Sequence, residues 1–428
     1  MTGEAQRGAG LLAGGTRFER TPGRLARLLA PGFHRMLDRL DAGLVRGSIQ
    51  GHLPDGTVRV LGGRGEDGFD AVVHLKDWRA LLRLASNGSV GWYQAWEAGE
   101  WSSPDLVTVF AVFNANAVTL GDAGRAKGAF RLAARFGHWL NRNTRAGSAR
   151  NIHAHYDLGN DFYAAWLDDT MTYSSARWGV WDGPNPYQQM GDTLAYGQVG
   201  KMMTVEARLG VSAGDRVLEI GCGWGSAAAA LAAGGVRVDA ISLSEQQLAW
   251  ARETLPPEVR KNVALRQCDY RDVHGTYDAV YSIEMVEALG RENWPDYLDV
   301  VARSLKPGGR AAIQFISMAE PVFDAYTAGA DFIQAYVFPG GLLIRTAEFR
   351  ALAEARSLRW EDQVDFGADY AETLKLWREN FTAAGNQGRL PAGFDSHFRR
   401  FWDYYLAYCE GGFRGGGIDV HQVTLVKE

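Results

Sequence analysis

No continuous apolar run of about 18 residues occurs in this 428-residue chain, so no stretch is suited to cross a bilayer as a helix. The N-terminus has no apolar segment followed by a cleavage site, which argues against secretion and for a cytoplasmic protein. Cysteine is scarce. Cys222, Cys268 and Cys409 lie far apart with no C-x-x-C pattern, as expected of free thiols in a reducing compartment. The net charge of −5 is mild and gives no reason to expect nucleic acid as a partner. No histidine falls between residues 301 and 396, and no metal site is expected from His153 and His155 alone, because no third ligand stands at recognisable spacing. What is present is an ordinary globular composition, 46% hydrophobic and 22% charged, on a chain too long for one comfortable core. Two domains are therefore expected. Fourteen tryptophans are many for this length, and core packing is the default reading for any one of them.

The most informative stretch is Arg216–Ala229, RVLEIGCGWGSAAA. Val217, Leu218 and Ile220 form a short buried-strand pattern around Glu219, and Gly221, Gly223 and Gly225 follow at alternate positions before an alanine-rich helix. Glycines there let the backbone turn sharply off a strand and let a ligand approach the main chain. The dinucleotide fingerprint G-x-G-x-x-G does not match. An acid just before the glycines, with Trp224 inside the loop, fits S-adenosylmethionine (SAM) better than NAD. About twenty residues on, the strand Val236–Leu243 ends at Ser242 and Leu243, with Gln247 beyond, where a ribose or adenine contact belongs. Cys268-Asp269-Tyr270 closes a third strand, the usual place of an adenine contact.

Around this centre the chain divides as follows. Residues 1–16, rich in Gly and Ala, read as disordered. Residues 17–120 read as a small α+β domain, with a helix over Thr21–Leu44 and strands over Gly47–His52, Thr57–Leu61 and Phe69–Leu75. Gly88–Leu106 places aromatics among small residues and ends in a helix cap at Ser102 or Ser103. Residues 121–150 read as a basic amphipathic linker helix. Seven Arg and Lys residues there, opposed only by Asp122, interleave with Phe130, Phe136 and Trp139, a pattern suited either to an anionic membrane surface or to an interdomain helix, solvated or packed on the catalytic domain. Over residues 151–428, strands at Val217–Ile220, Val236–Leu243, Val263–Gln267, Ala279–Ile283 and Ala311–Phe315 alternate with helical or loop segments, the βαβ signature of a parallel sheet. Phe323–Ile344 is too apolar for a plain connector and is placed over a substrate cavity; Tyr370–Phe413 is helical, and Val420–Val426 is a last strand.

Several motifs then occur in a telling order: HYDLGNDFY (His155–Tyr163), Thr172-Tyr173-Ser174, LEIGCGWG (Leu218–Gly225), EMVEALG (Glu284–Gly290), FPGG (Phe338–Gly341), YAETLKLW (Tyr370–Trp377) and YCEGGF (Tyr408–Phe413). Together they resemble the cyclopropane-fatty-acyl-phospholipid synthase family. The resemblance runs from about Ala149 to the C-terminus, and GSVGWYQAWEAGEW resembles the smaller domain of longer bacterial members. It implies an α/β fold: a Rossmann-like SAM-dependent methyltransferase domain behind a smaller N-terminal α+β domain. It also implies methyl transfer to a cis double bond of a phospholipid acyl chain, forming a cyclopropane.

The SAM contacts it implies are Tyr173, Ser174, Glu219, Gly221, Gly223, Gly225, Ser242, Leu243, Gln247, Asp269 and Tyr270. In this family a bicarbonate ion, held by a Cys, a Glu, a His, a Tyr and a backbone amide, is the usual base. Glu287 and Tyr370 match, whereas Ser175 stands at the Cys position and Gln314 at the His position, which weighs against bicarbonate. Glu284, three residues before Glu287, would share its face if the segment were helical, and could then act as the base. Other outcomes are a methylene- or methyl-branched chain from the same chemistry, methylation of a small amine (some plant N-methyltransferases resemble this family), and SAM or lipid binding without turnover. Partners implied are a phospholipid surface at the inner membrane face and, by analogy, a second copy of the chain.

Overall fold

Strand β5 (Arg216–Ile220) is buried at every residue but its first, as expected of a strand covered on both faces. Val217 joins the hydrophobic cluster on one face of its sheet, while Leu218 and Ile220 join the cluster on the other. The computed structural model that shows this describes residue 7 and residues 30–121, 158–179 and 193–428. The basic segment of residues 121–150 and the two histidines at 153 and 155 thus fall, Gly121 apart, outside the described residues.

The N-terminal part begins with helix α1 (Ala30–Gly43), the described portion of the helix expected from Thr21. Strands β1 (Arg46–His52), β2 (Val58–Gly62) and β3 (Glu66–Leu75) follow. Helix α2 (Arg79–Glu97) takes in most of the aromatic stretch, with a break in helical geometry at Gly88. A two-residue strand β4 (Trp101–Ser102) completes a sheet of order β2-β1-β3-β4. The cap of the next helix, α3 (Leu106–Ala115), is a correction to the sequence reading. Asp105, not Ser102 or Ser103, accepts the Thr108 N–H, and the Ser103 hydroxyl instead takes the Asp105 N–H. A carboxylate serves well at that place.

Helix α4 (Thr193–Leu209) leads into the second sheet. After β5 come α5 (Ser226–Ala233), β6 (Arg237–Ser242), α6 (Glu245–Thr254), β7 (Val263–Gln267), β8 (Tyr277–Ile283), α7 (Trp294–Ser304) and β9 (Leu305–Met318). Two short helices, α8 (Phe323–Thr327) and α9 (Phe332–Tyr336), occupy the apolar insertion. Strand β10 (Leu358–Asp365), helices α10 (Gly367–Asn386) and α11 (Ser396–Arg414), and strand β11 (Ile418–Lys427) complete the chain. The sheet order is β10-β11-β9-β8-β5-β6-β7. It is parallel from β7 to β9, whereas β11 pairs antiparallel with both β9 and β10. The sequence had not marked β10, whose polar run Arg359, Glu361, Asp362 and Gln363 belongs to an edge strand.

One hydrophobic cluster runs from Phe33 on α1 through Trp92 and Phe110 to Trp402 and Phe413 on α11. It joins the small sheet to the large unit. At the junction α3 lies so close to α11 that a Cβ on Gly411 would sit 2.7 Å from the Val107 carbonyl oxygen and closer still to Phe110. Trp101, Trp166, Trp294, Trp377 and Trp402 are fully buried, as the core reading of the tryptophans expects. No helix among the described residues is long and apolar enough to cross a membrane.

Candidate active site

The turn after β5 opens onto a cavity of about 390 Å³. Gly221 and Gly225 both have φ near +90°, the left-handed region glycine favours. A Cβ on Gly221 would press to 2.9 Å from Met285, and one on Gly225 to 3.1 Å from Ala251 on α6. Gly221 and Gly223 line the cavity; Gly225 stands behind it, where it lets α5 begin close against α6. The Trp224 indole N–H donates to Asn160 at 2.8 Å and fixes the loop.

The other cofactor-type residues gather on the same wall. Tyr173, Ser174, Glu219, Ser242, Leu243, Gln247, Asp269 and Tyr270 all line the cavity. Ser244 caps α6 by accepting the Gln247 N–H, and the Ser242 hydroxyl donates to Gln247 Oε1 at 3.3 Å. Asp269 is engaged twice by the Arg271 guanidinium, at 2.8 and 2.6 Å, so its carboxylate is already neutralised. Glu219 is buried, its Oε2 finds no partner among the described residues, and burial pushes its carboxyl up to about 8. A buried acid with an unsatisfied oxygen beside a glycine turn, and only Tyr281 nearby to favour its charge, is what a donor-bearing cofactor would satisfy. These residues fit SAM.

The far part of the cavity is apolar. Ile316, Met318, Leu342, Leu343, Leu374 and Phe413 line it, with Ile333 and Phe338 from the insertion and Asn114 from α3. The insertion thus covers the cavity as its composition suggested, and the N-terminal part contributes to the wall.

Between the two ends lie the carboxylates. Glu284 follows β8 with φ of +48°, and only Val286–Ala288 form a 3-10 turn, so the pair Glu284 and Glu287 is not on a helix face as the spacing suggested. Both still line the cavity, together with Tyr370. Glu284 is the hub. Its Oε1 accepts the Ser175 backbone N–H at 2.9 Å and the Gln314 amide at 2.7 Å, and its Oε2 accepts the Tyr370 hydroxyl at 2.6 Å. Burial pushes its carboxyl up, while Tyr370, Lys201, Ser175 and Gln314 hold the rise back. Glu287 is poorer in partners. Its Oε1 takes the Ile316 N–H, its Oε2 has no partner among the described residues, and burial beside Glu284 pushes it up to about 8. The two carboxyls have unequal surroundings: Glu287 keeps its proton near neutral pH, whereas the partners of Glu284 favour its charged form.

Ser175 and Gln314 do not line the cavity; they stand behind Glu284. The Ser175 hydroxyl turns away to the Ala176 carbonyl, because its backbone N–H already meets the carboxylate. Sequence reasoning missed Lys201. It is fully buried on α4, donates to the Ser174 hydroxyl at 2.6 Å, and is pushed down to about 7 by burial. A signal existed: Leu194, Gln198, Lys201, Val205 and Leu209 share the buried stripe of α4.

Comparison with known proteins bears on this geometry. The mycolic acid cyclopropane synthetase family matches residues 143–423. The chain belongs to that family. Tuberculostearic acid methyltransferase UfaA1 of Mycobacterium tuberculosis is 39% identical over 360 residues, 81% of each chain. Cyclopropane-fatty-acyl-phospholipid synthase of Escherichia coli is 33% identical over 274 residues, 64% of this chain and 66% of that one. Among solved structures, mycolic acid cyclopropane synthase CmaA1 with SAH and CTAB superposes with a TM-score of 0.58 at 27% identity. The match covers 65% of this chain and 98% of that one. The family is one of SAM-dependent lipid methyltransferases, and the Rossmann-like reading of the fold holds.

Proposed function

We propose that this enzyme methylates the cis double bond of an unsaturated fatty acyl chain in a membrane phospholipid, with Glu284 as its built-in base. One observation carries the reading: Ser175, Gln314 and Tyr370, three positions that the family would aim at an external anion, all donate to Glu284. Their donors are used, so bicarbonate does not fit this site, and no step is routed through it.

SAM, when bound on the Glu219 and Gln247 wall, supplies an electrophilic methyl group. The acyl chain lies in the apolar part of the cavity with its double bond toward Glu284, Glu287 and Tyr370. The π electrons form the new bond to the methyl carbon as its bond to sulfur breaks, the electron pair leaving with the thioether, and a cation remains on the neighbouring carbon. The Glu284 carboxylate stabilises that charge across the dry cavity and then accepts one proton. Glu287, protonated near neutral pH, keeps a second negative charge from competing for it. The cofactor-end residues and the carboxylates line one cavity, as transfer between bound groups requires.

The proton that Glu284 takes decides the product. A fixed carboxylate, and the likeness to a relative whose name describes methyl transfer, favour a methylene branch, whose saturation to a methyl branch needs a separate reductase. The likeness to the Escherichia coli cyclopropane synthase supports ring closure as the second reading. The substrate places the enzyme at a membrane surface. The test is tandem mass spectrometry of vesicle lipids after incubation with methyl-labelled SAM. Fragments carrying an exocyclic methylene support the first reading, ring fragments the second. Label found only in small amines would overturn both.

A further inference from the structure

A chain of amides stands behind Glu284 that the methyl-transfer chemistry does not itself use. Gln422 on β11 is opposite Gln314 on β9, and Gln314 is opposite Ile283 on β8, one residue before Glu284. Gln422 and Gln314 are each 1% exposed. Two guanidiniums converge on one end of the Gln422 amide, together with the Thr204 hydroxyl, whose single hydrogen also faces the Lys201 carbonyl. Arg177 Nη1 and Thr204 Oγ1 lie 2.9 Å from Oε1, and Arg208 Nε lies at 3.3 Å. A guanidinium can only donate, so that end must be the oxygen. The Gln422 NH2 therefore faces Gln314 Oε1, at 2.9 Å, and the Gln314 NH2 faces Glu284 Oε1, at 2.7 Å. Neither amide can flip without setting oxygen against oxygen or NH2 against a guanidinium.

From this we infer that Gln422, oriented by Arg177 and Arg208, is a positioning residue that holds Glu284 in its ionised, proton-accepting form through Gln314. Resting as it does on Glu284 being the base, the relay gives the two arginines influence over a carboxylate they do not touch. Each oriented amide presents the positive end of its dipole to the next, so the polarity set at the arginines arrives at Glu284 unreversed. The other groups facing Glu284 are Lys201 from α4, Tyr370 from α10 and the neighbouring Glu287. Of these, Lys201 and Tyr370 favour the charged form and Glu287 opposes it. A hydrogen bond that must come from Gln314 adds to the favourable side.

The isosteric variant Gln422→Glu tests this. Its carboxylate still receives the arginines but has no N–H to give, so Gln314 must turn its NH2 to residue 422 and its oxygen to Glu284. The acid limb of the kcat–pH profile, measured at saturating SAM with monounsaturated phospholipid vesicles, should rise by about one to two pH units. The KM for SAM should stay within about twofold of the parent, since no residue of the glycine turn is touched. Acting through Gln314, the shift should vanish in a Gln314→Leu background. If Gln422→Glu fails to fold, Gln422→Met cuts the relay without adding charge and should raise the limb by a smaller amount. A limb that does not move in a folded variant overturns the relay, as does an equal shift with and without Gln314. Glu284→Gln, run in parallel, separates the two claims. If it keeps turnover, the base reading falls and the relay with it; if it is inactive beside an unmoved limb, the relay alone falls.

Discussion

Glu284→Gln is the substitution on which the reading bears most heavily, and its effects on fold and on rate should part company. The glutamine is isosteric. Its carbonyl oxygen can keep the Ser175 N–H and the Gln314 amide at Oε1, and its NH2 can donate to the Tyr370 hydroxyl oxygen in place of the bond now running the other way at 2.6 Å. What is lost is charge-assisted bonding of about 1.5–3 kcal/mol per contact, and what is relieved is the cost of holding a carboxylate out of water, several kcal/mol. These oppose each other, so stability should change by no more than about 1 kcal/mol. Turnover has no such compensation. An amide cannot accept the proton, and loss of a positioned base costs about 10²–10⁴-fold, roughly 3–5 kcal/mol of barrier. Thermal melts and single-turnover methyl transfer from labelled SAM to vesicle lipid measure the two quantities. A variant that turns over within about fivefold of the parent refutes the assignment of Glu284 as base.

Other consequences can be checked as simply. Glu287 is raised in the folded state from an ordinary 4.5 to about 8, so the folded chain binds the extra proton between those values and stability falls as pH climbs through that window. Glu287→Gln should flatten the fall, by up to about 4 kcal/mol across the window; parallel pH-dependent melts decide it. Lys201→Met removes the donor to Ser174 at 2.6 Å while keeping the buried volume. SAM binding by calorimetry should weaken roughly tenfold without loss of melting temperature. Gly411→Ala forces α3 away from α11, since the new methyl would meet Phe110 and the Val107 carbonyl. The melting temperature should drop with a loss of about 1–3 kcal/mol.

Much of the architecture was legible because central parallel strands announce themselves. Val217, Leu218 and Ile220 have no solvent face to alternate with, and the glycines after them mark where a chain leaves a sheet beside a ligand. Strand β10 was illegible for the opposite reason: Arg359, Glu361 and Asp362 belong to an edge, and only pairing with β11 makes them a strand. The helix cap was misplaced by two or three residues because Ser103 and Asp105 both suit a cap, and a side-chain bond between neighbours decides which one serves. The site was legible as a set of residue types and illegible as a network. Glu284, Ser175, Gln314 and Tyr370 come from four distant segments, and spacing along the chain says nothing of which carboxylate the other three will face. Gln422 was hidden inside an ordinary last strand, where its partner Gln314 is fixed by register alone.

The most direct test is to incubate the pure enzyme with methyl-labelled SAM and vesicles of a monounsaturated phospholipid, with carbonate species stripped out or restored. The expected result is a gain of one CH2 unit per labelled acyl chain at the same rate in both conditions, because the proposed base is Glu284, whose partners Ser175, Gln314 and Tyr370 are already engaged. A rate that collapses without bicarbonate and recovers on its addition would contradict the account.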